Sequence, residues 1–359
     1  MSLQRLGAIV VKELRQLRRD RLTFAMIVGI PVMQLVLFGF AINMDVRGLN
    51  AAVLDQAQTA HSREVIAELG SSQVLNIRYQ LSEPQQINSL LREGRISAAL
   101  VIPADFETRL QRKNAAPLQL IVDGSDQVVQ SAARQLANYP LPGWNQPPGM
   151  TLVNYYNPER LAPVNTVPGL IGVILAMTMV LFTAIALVRE HERGNMEMLI
   201  TTPVSPWELT IGKVLPFAGI GLVQVTVILI VGRLIFEVPV RGSLLDLYAA
   251  SLLFIVASLA LGIFVSTLAK SQFQAMQLAF FTFLPQILLS GFMFPFAGMP
   301  KAAQWFAEIL PLTHFVRLAR GIMLRAANLH ELWLEMAALG LFTLIMMSIA
   351  VARVRKRLD

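Results

Sequence analysis

The stretch VPGLIGVILAMTMVLFTAIALV, residues 167–188, decides what kind of molecule this is. It contains no Asp, Glu, Lys or Arg, and a helix needs about 20 mostly apolar residues to cross the hydrocarbon core of a bilayer. Five further stretches read the same way: Leu22–Asn43, Val214–Phe236, Leu244–Leu268, Phe273–Phe294 and Leu332–Ala352. Of the 359 residues 55% are hydrophobic and 15% charged, and the mean hydropathy is +0.56. Soluble proteins sit near about 45–50% apolar and about 25% charged, so an ordinary soluble enzyme is excluded. Leu22–Asn43 is longer than the roughly 7–15 apolar residues of a signal peptide and no small-x-small cleavage pattern follows it. It is expected to stay as an anchor.

The net charge of +7 is unevenly placed. Residues 44–165 carry 10 Lys and Arg against 11 Asp and Glu, and the remainder carries 20 against 12. The basic excess flanks the apolar runs, which points to a membrane surface and away from nucleic acid. Arg5, Lys12, Arg15, Arg18, Arg19 and Arg21 precede the first run, and Arg353, Arg355, Lys356 and Arg357 follow the last. Lysine and arginine near span ends mark the cytoplasmic side. Six spans then leave both termini in the cytoplasm (1–21 and 353–359), with 44–166, 237–243 and 295–331 outside and 189–213 and 269–272 inside. Lys301, Arg317, Arg320 and Arg325 in 295–331 oppose this rule, and the two terminal clusters outvote them.

Within 44–166, strand-like runs at 51–54, 74–81, 96–102 and 118–122 alternate with helical patterns at 62–69, 84–93, 104–113 and 127–138. Such alternation predicts a small α/β domain. Residues 139–166, rich in Pro and Gly, read as an irregular linker. The expected fold is therefore a mostly α integral membrane protein, with six transmembrane helices and an α/β extracytoplasmic domain inserted between spans one and two.

The chemistry is defined by what the sequence lacks. It has no cysteine, and its four histidines form no HExxH or other metal spacing. Intramembrane charge is costly and kept for function, yet the central parts of the spans carry none. Arg233 and Glu335 lie near span ends, and Arg233 with Glu237 has the i,i+4 spacing of an interfacial ion pair. Gln34, Gln224, Gln277, Gln286 and Ser290 read as hydrogen-bonding glue between helices, with a path-lining role left open. Pro31 and Pro285 are expected to kink spans one and five. No proton relay is legible, and no GxxxxGK[ST] phosphate loop occurs. A pump built on this chain must take its ATPase from a partner.

Two segments on the inner side are suited to such a partner. Leu6, Val10, Leu14 and Leu17 share one face of a basic amphipathic helix. The loop REHERGNMEMLITTPVSPWEL, residues 189–209, exposes Met196, Met198, Leu199 and Trp207 on a charged, Gly-broken segment. Exposed apolar residues there suggest a docking surface.

In this order and topology the chain resembles the membrane permeases of ABC-2 type exporters, in the bacterial multidrug-type branch with a large periplasmic domain. The resemblance is carried by Lys12 to Arg21, by Val122-Asp123-Gly124-Ser125-Asp126 and by Tyr156-Asn157-Pro158-Glu159. It continues in Val167-Pro168-Gly169-Leu170-Ile171-Gly172, Arg189-Glu190-x-Glu192-Arg193-Gly194-x-Met196-Glu197, Thr202-Pro203 and Gly212-Lys213, and ends in Leu310-Pro311-Leu312-Thr313 and Arg320-Gly321-Ile322. Asn195 departs from the family's more usual Thr, and the 139–149 linker is unusually Pro-rich.

The resemblance implies a multi-pass protein of the bacterial inner membrane, with two permease subunits around a path and a separate ABC ATPase at each inner face. This chain would hold no cofactor, and ATP and Mg would sit in the partner. Glu190, Arg193, Gly194 and Glu197 would form the ATPase-coupling segment, and Lys12, Glu13 and Arg15 the interface helix. Residues 295–331, broken by Pro295, Pro300 and Pro311, resemble the family's re-entrant outer helices. There headgroup contact and helix packing are the expected role of the charged residues, and Arg317 and Arg320 are the candidates for an exit contact with an anionic or amphipathic cargo. The expected function is ATP-driven export of a drug or lipid-like compound, with a periplasmic membrane-fusion adaptor as a further partner. A mechanotransducer acting on a periplasmic partner and a glycolipid or polysaccharide exporter are the alternatives.

Overall fold

Alternating apolar residues in the N-terminal half build a mixed sheet. The computed structural model describes residues 48–112, 115–138, 150–192, 206–294 and 296–356. The strands are β1 (Leu49–Asp55), β2 (Leu75–Leu81), β3 (Ala98–Ile102), β4 (Leu118–Asp123) and β5 (Met150–Tyr155). Between them run α1 (Ala60–Ser71), α2 (Gln85–Arg92), α3 (Phe106–Arg112) and α4 (Gln127–Ala137). The strand order is β2-β1-β3-β4-β5, with every neighbouring pair parallel except β3 with β4.

Successive strand residues point to opposite faces, and this sorts the core. Val53, Leu100 and Leu120 pack with Val65 and Leu69 of α1, Phe106 of α3 and Leu136 of α4. Ala52, Leu54, Ala99 and Ile121 face the other way, where Ile87 and Leu91 of α2 cover them. Thr59 starts α1 with a reciprocal capping box to Ser62, satisfying backbone N–H groups that the helix leaves free.

The expected 139–166 linker needs correction. Within it β5 pairs with β4 from Leu118↔Met150 to Asp123↔Tyr155, and the next helix already begins at Ala162. Met150 is buried and Leu152 packs on the same core, so a period-2 pattern was present beside the Pro- and Gly-rich run.

The C-terminal half is helical: α5 (Ala162–Glu192), α6 (Pro206–Phe236), α7 (Leu244–Leu268), α8 (Gln272–Leu289), α9 (Lys301–Ala307), α10 (Pro311–Arg325) and α11 (Trp333–Lys356). Among the described residues, four helical segments are long and apolar enough to cross a membrane: Ala162–Glu190, Leu215–Phe236, Leu244–Leu268 and Trp333–Ala350. They fall on four of the six expected spans. Leu22–Asn43 lies outside the described residues. The expected span Phe273–Phe294 coincides with α8, which has 18 residues and Pro285 inside it. Gln272, Gln274, Gln277 and Gln286 dilute its apolar character, and it is not one of the four.

α7 lies at the centre of the helices, with 67% of its apolar window buried against 11% for α11. It meets α5 at Gly262, where a Cβ atom would stand 2.9 Å from the Val180 carbonyl oxygen and from Thr183 Cβ. Phe254 of α7 stacks on Phe315 of α10 with ring centroids 4.4 Å apart. Of the expected polar glue, Gln224 does bridge helices, accepting from Thr178 Oγ1 at 2.9 Å. Gln286 and Ser290 instead donate to carbonyls of their own helix, Thr282 and Ile287. The expected Arg233–Glu237 pair does not form, because α6 ends at Phe236 and Glu237 turns into the left-handed region at φ 55°.

Replacing Gly262 by Leu is expected to lower stability by about 1–3 kcal/mol through overpacking against backbone. Gly340→Ala, where a Cβ meets nothing within 4 Å, is expected to gain about 0.5–1 kcal/mol from helix propensity. Thermal unfolding of the detergent-solubilised variants checks both.

Candidate functional site

Arginines projecting from α10 meet acidic groups on three other elements, and the arrangement starts from a five-residue turn. Val122-Asp123-Gly124-Ser125-Asp126 joins β4 to α4. Asp123 uses Oδ1 to accept from Ser125 N at 2.9 Å, and Asp126 uses Oδ1 to accept from Val128 N, capping α4. The turn passes so close to β5 that a Cβ on Gly124 would collide with the Tyr155 carbonyl. Gly124 N donates to that carbonyl at 2.8 Å, and Gln130 Nε2 donates to the Gly124 carbonyl at 2.7 Å.

Each aspartate has its second oxygen free for α10. Asp126 Oδ2 accepts from Arg320 Nη1 at 3.2 Å, and Asp123 Oδ2 lies 3.5 Å from Arg325 Nη1. The Arg325 and Asp123 side chains are only 10% and 8% exposed. Arg320 also donates to the Gly291 carbonyl at 3.3 Å. A third bridge joins Arg92 of α2 to Glu331, in the turn before α11.

Nearer the start of α10 stand His314 and Arg317, three residues apart and so neighbours on one face. Arg317 forms a two-pronged bond to Glu308, at 2.7 and 3.0 Å. It also donates to Glu335 of α11 at 3.2 Å and lies over the Phe296 ring, 4.6 Å from its centroid. His314 Nδ1 hydrogen-bonds Glu335, and Nε2 meets the Glu308 carbonyl at 2.8 Å. Both candidate exit arginines thus have carboxylate partners inside the chain. Sequence reasoning missed those partners, because nothing in the local pattern of α10 names Asp126 or Glu308.

The expected coupling residues are only partly described. Glu190 lies partly buried in the last turn of α5. Arg193, Gly194 and Glu197, with Lys12, Glu13 and Arg15, lie outside the described residues. Beside Glu190, Glu192 accepts from Gln272 N at 3.1 Å and from Gln272 Nε2 at 2.6 Å. These bonds hold its carboxylate below the usual range and tie the end of α5 to the start of α8. Arg353 lies over the Phe264 ring, joining α11 to α7. Among the described residues no group of His, Asp and Glu is arranged to hold a metal ion.

Burial alone lowers the pKa of His314, but the hydrogen bond to Glu335 and the Glu308 carbonyl outweigh it and raise it above the ordinary 6.5. A group whose folded pKa is raised stabilises the fold below its unfolded pKa, and that gain is lost as pH rises through the folded value. The melting temperature is therefore expected to fall as pH rises from about 6.5, the ordinary histidine value, and His314→Gln is expected to flatten this dependence. At the buried pair, Arg325→Met is expected to cost about 3–5 kcal/mol by leaving Asp123 uncompensated. Adding Asp123→Asn is expected to recover much of that loss, and a double-mutant cycle in thermal unfolding measures the recovery.

Comparison with known proteins fits this architecture. A family model described as ABC-2 family transporter protein matches residues 21–352. The chain is 30% identical over 363 residues to the Escherichia coli K12 protein named "Probable multidrug ABC transporter permease YbhR", covering 98% of this chain and 99% of that one. It is 30% identical over 341 residues to "Probable multidrug ABC transporter permease YbhS" of the same strain, covering 90% and 89%. To "Inner membrane transport permease YhhJ", also of that strain, it is 25% identical over 377 residues, covering 96% of each. With apolar helices long enough to cross a bilayer and this similarity along nearly its whole length, the chain belongs to the ABC-2 family of transporter membrane proteins.

Proposed function

We propose that this chain is the membrane subunit of an ATP-driven exporter, moving a hydrophobic or amphipathic compound, a drug or lipid-like molecule, out across the bacterial inner membrane. The observation that carries this reading is its near-full-length similarity to permeases named as multidrug transporters, in a sequence without a phosphate loop. ATP and Mg would be bound and hydrolysed in a partner ABC ATPase. The permease would act as a homo- or heterodimer of subunits with six spans each, both termini in the cytoplasm and the α/β domain in the periplasm. There the domain would be positioned to meet a membrane-fusion adaptor.

Coupling would run through Glu190, Arg193, Gly194 and Glu197, with Lys12, Glu13 and Arg15 on the interface helix. A short helix seated in a partner's cleft passes on a rigid-body rotation. Glu192 supports this assignment, because its bonds to Gln272 would carry displacement of the loop into α8 as well as α5. On the far side, Arg317 and Arg320 would meet cargo only by exchanging an internal carboxylate for it, which favours an anionic or amphipathic molecule. The clamped junction between the α/β domain and α10 also suits a mechanotransducer, which would move that domain without exporting anything.

Because the chain has no cysteine, one introduced cysteine reports topology cleanly. Ser131→Cys, on the exposed face of α4, is expected to react with a membrane-impermeant maleimide from the periplasmic side. Glu190→Lys with Glu197→Lys is expected to abolish export while leaving the chain inserted and the partner's ATP hydrolysis running. Efflux of fluorescent amphiphiles from whole cells, read with ATPase assays on the isolated complex, checks the coupling. Unchanged export in the double variant would refute the coupling assignment. Loss of a periplasmic response with no cargo moved by the wild type would favour the mechanotransducer.

A further inference from the structure

The Tyr156-Asn157-Pro158-Glu159 motif sits beside the Asp123–Arg325 pair, and Tyr156 and Pro158 build one wall of a cavity of about 550 Å³. The cavity lies between the edge strand β5 and the loop from α6 to α7. It is lined by Leu152 to Tyr155, and by Tyr156, Pro158, Arg160 and Arg241. Two arginines therefore line it, and no carboxylate does. Arg317, Arg320 and Arg325 on α10 have carboxylate partners, whereas among the described residues the two arginines of this cavity have none.

Both arginines are held in place by neutral groups. With the Asn154 amide turned so that its oxygen faces Arg160, it accepts from Arg160 Nε and Nη2 at 3.0 and 3.2 Å. Arg241 donates its backbone N–H to the Met323 carbonyl at 2.9 Å and reaches the Leu324 carbonyl with Nη1 at 3.4 Å. Tyr156 and Arg160 both adopt positive φ, 67° and 57°, a strained conformation for residues with side chains. Asn157, 3% exposed, fixes them there: its side chain bonds Leu161 N, Leu161 O and Asn165 Oδ1 at 3.0 to 3.2 Å. Burial, with Asp123 nearby, pushes the Tyr156 phenol up to about 12, so it keeps its proton and can donate.

The surroundings indicate where an occupant would come from. Arg241 stands between Phe236, which ends α6, and Leu244 and Leu245, which begin α7, and all three are exposed apolar residues. The cavity thus lies beside the connection between two helices long and apolar enough to cross a bilayer. Guanidinium forks without carboxylate partners suit an anion with several acceptor oxygens, and the apolar wall of Leu152, Val153 and Pro158 suits an amphiphile.

We propose that Arg160 and Arg241 form a phosphate-binding site at the rim of the membrane, taking the phosphate of a lipid headgroup or of a free phosphoryl compound. Placing it at the outer leaflet rests on the topology proposed above, whereas the phosphate chemistry does not.

The test uses the full-length protein in an uncharged detergent. Dioctanoyl phosphatidylglycerol, dioctanoylglycerol and inorganic phosphate are titrated separately by calorimetry. The phosphatidylglycerol is expected to bind, and Arg160→Gln with Arg241→Gln to weaken it about tenfold or more, the loss of one charge-assisted contact. Arg160→Lys with Arg241→Lys is expected to fall between, because charge remains without the fork. Competition by inorganic phosphate would identify a site for free phosphoryl compounds, and its failure to compete a site for lipid. Equal binding of dioctanoylglycerol, or unchanged affinity in a Gln double variant that melts like the wild type, would overturn the proposal. Should the Gln variant not fold, wild-type affinity in the Lys pair would overturn it equally. Cytoplasmic labelling of Ser131→Cys with phosphate binding intact would displace the topology and leave the site standing.

Discussion

Two aspartates in a five-residue turn hold the α/β unit to the helices, and each does so with the oxygen its own turn does not use. The first oxygens of Asp123 and Asp126 fix backbone N–H groups of the turn and of α4. The second oxygens reach Arg325 and Arg320. Because the same carboxylates shape the turn and grip α10, the turn cannot relax without releasing the helix. Taking two charges out of water is costly, so at the Asp123–Arg325 pair breaking the contact on one side is far worse than never having built it. The junction therefore favours two bodies moving together over two bodies sliding.

α10 is what makes that grip matter. With 15 residues it is about 22 Å long at 1.5 Å per residue, short of a bilayer core, yet Leu312, Phe315, Leu318, Ala319 and Ile322 are buried in the same core as α5 and α7. Its apolar face belongs to the membrane helices, and its charged positions belong to the α/β unit and to α11. For a permease this places the last turn before the final span under the control of everything around it.

Much of this was legible in the sequence. Uninterrupted apolar runs gave four helices that the structure keeps, and the alternation of short runs gave four of the five strands. β5 escaped because the Pro- and Gly-rich residues before it dominate any local reading of MTLVNY. α8 ends at Leu289, five residues before the expected Phe294, because Ser290 caps it and Gly291 turns to positive φ. The Asp-Gly-Ser-Asp turn stood out as a motif, but its partners lie far away in sequence, Arg320 being 194 residues from Asp126. Pairing at that separation is a property of the fold and leaves no trace in spacing. The arginines of 295–331 that strain the positive-inside rule show the same limit. Arg317, Arg320 and Arg325 are neutralised by carboxylates, so as net charges they count for less than their number suggests.

One consequence of α5 concerns leverage. After Pro168 the helix continues without a further proline to Glu192, about 36 Å of unbroken rod at 1.5 Å per residue. Its Glu192 end is pinned to α8, its middle bears on Gly262, and its other end packs closely on Phe292, Leu312 and Phe315 at Gly169 and Gly172. A rod gripped at both ends and in the middle carries its neighbours with it when it tilts, and a tilt of about 5° about its centre swings each end by about 1.5 Å. That is enough to break a hydrogen bond at one end in answer to a push at the other.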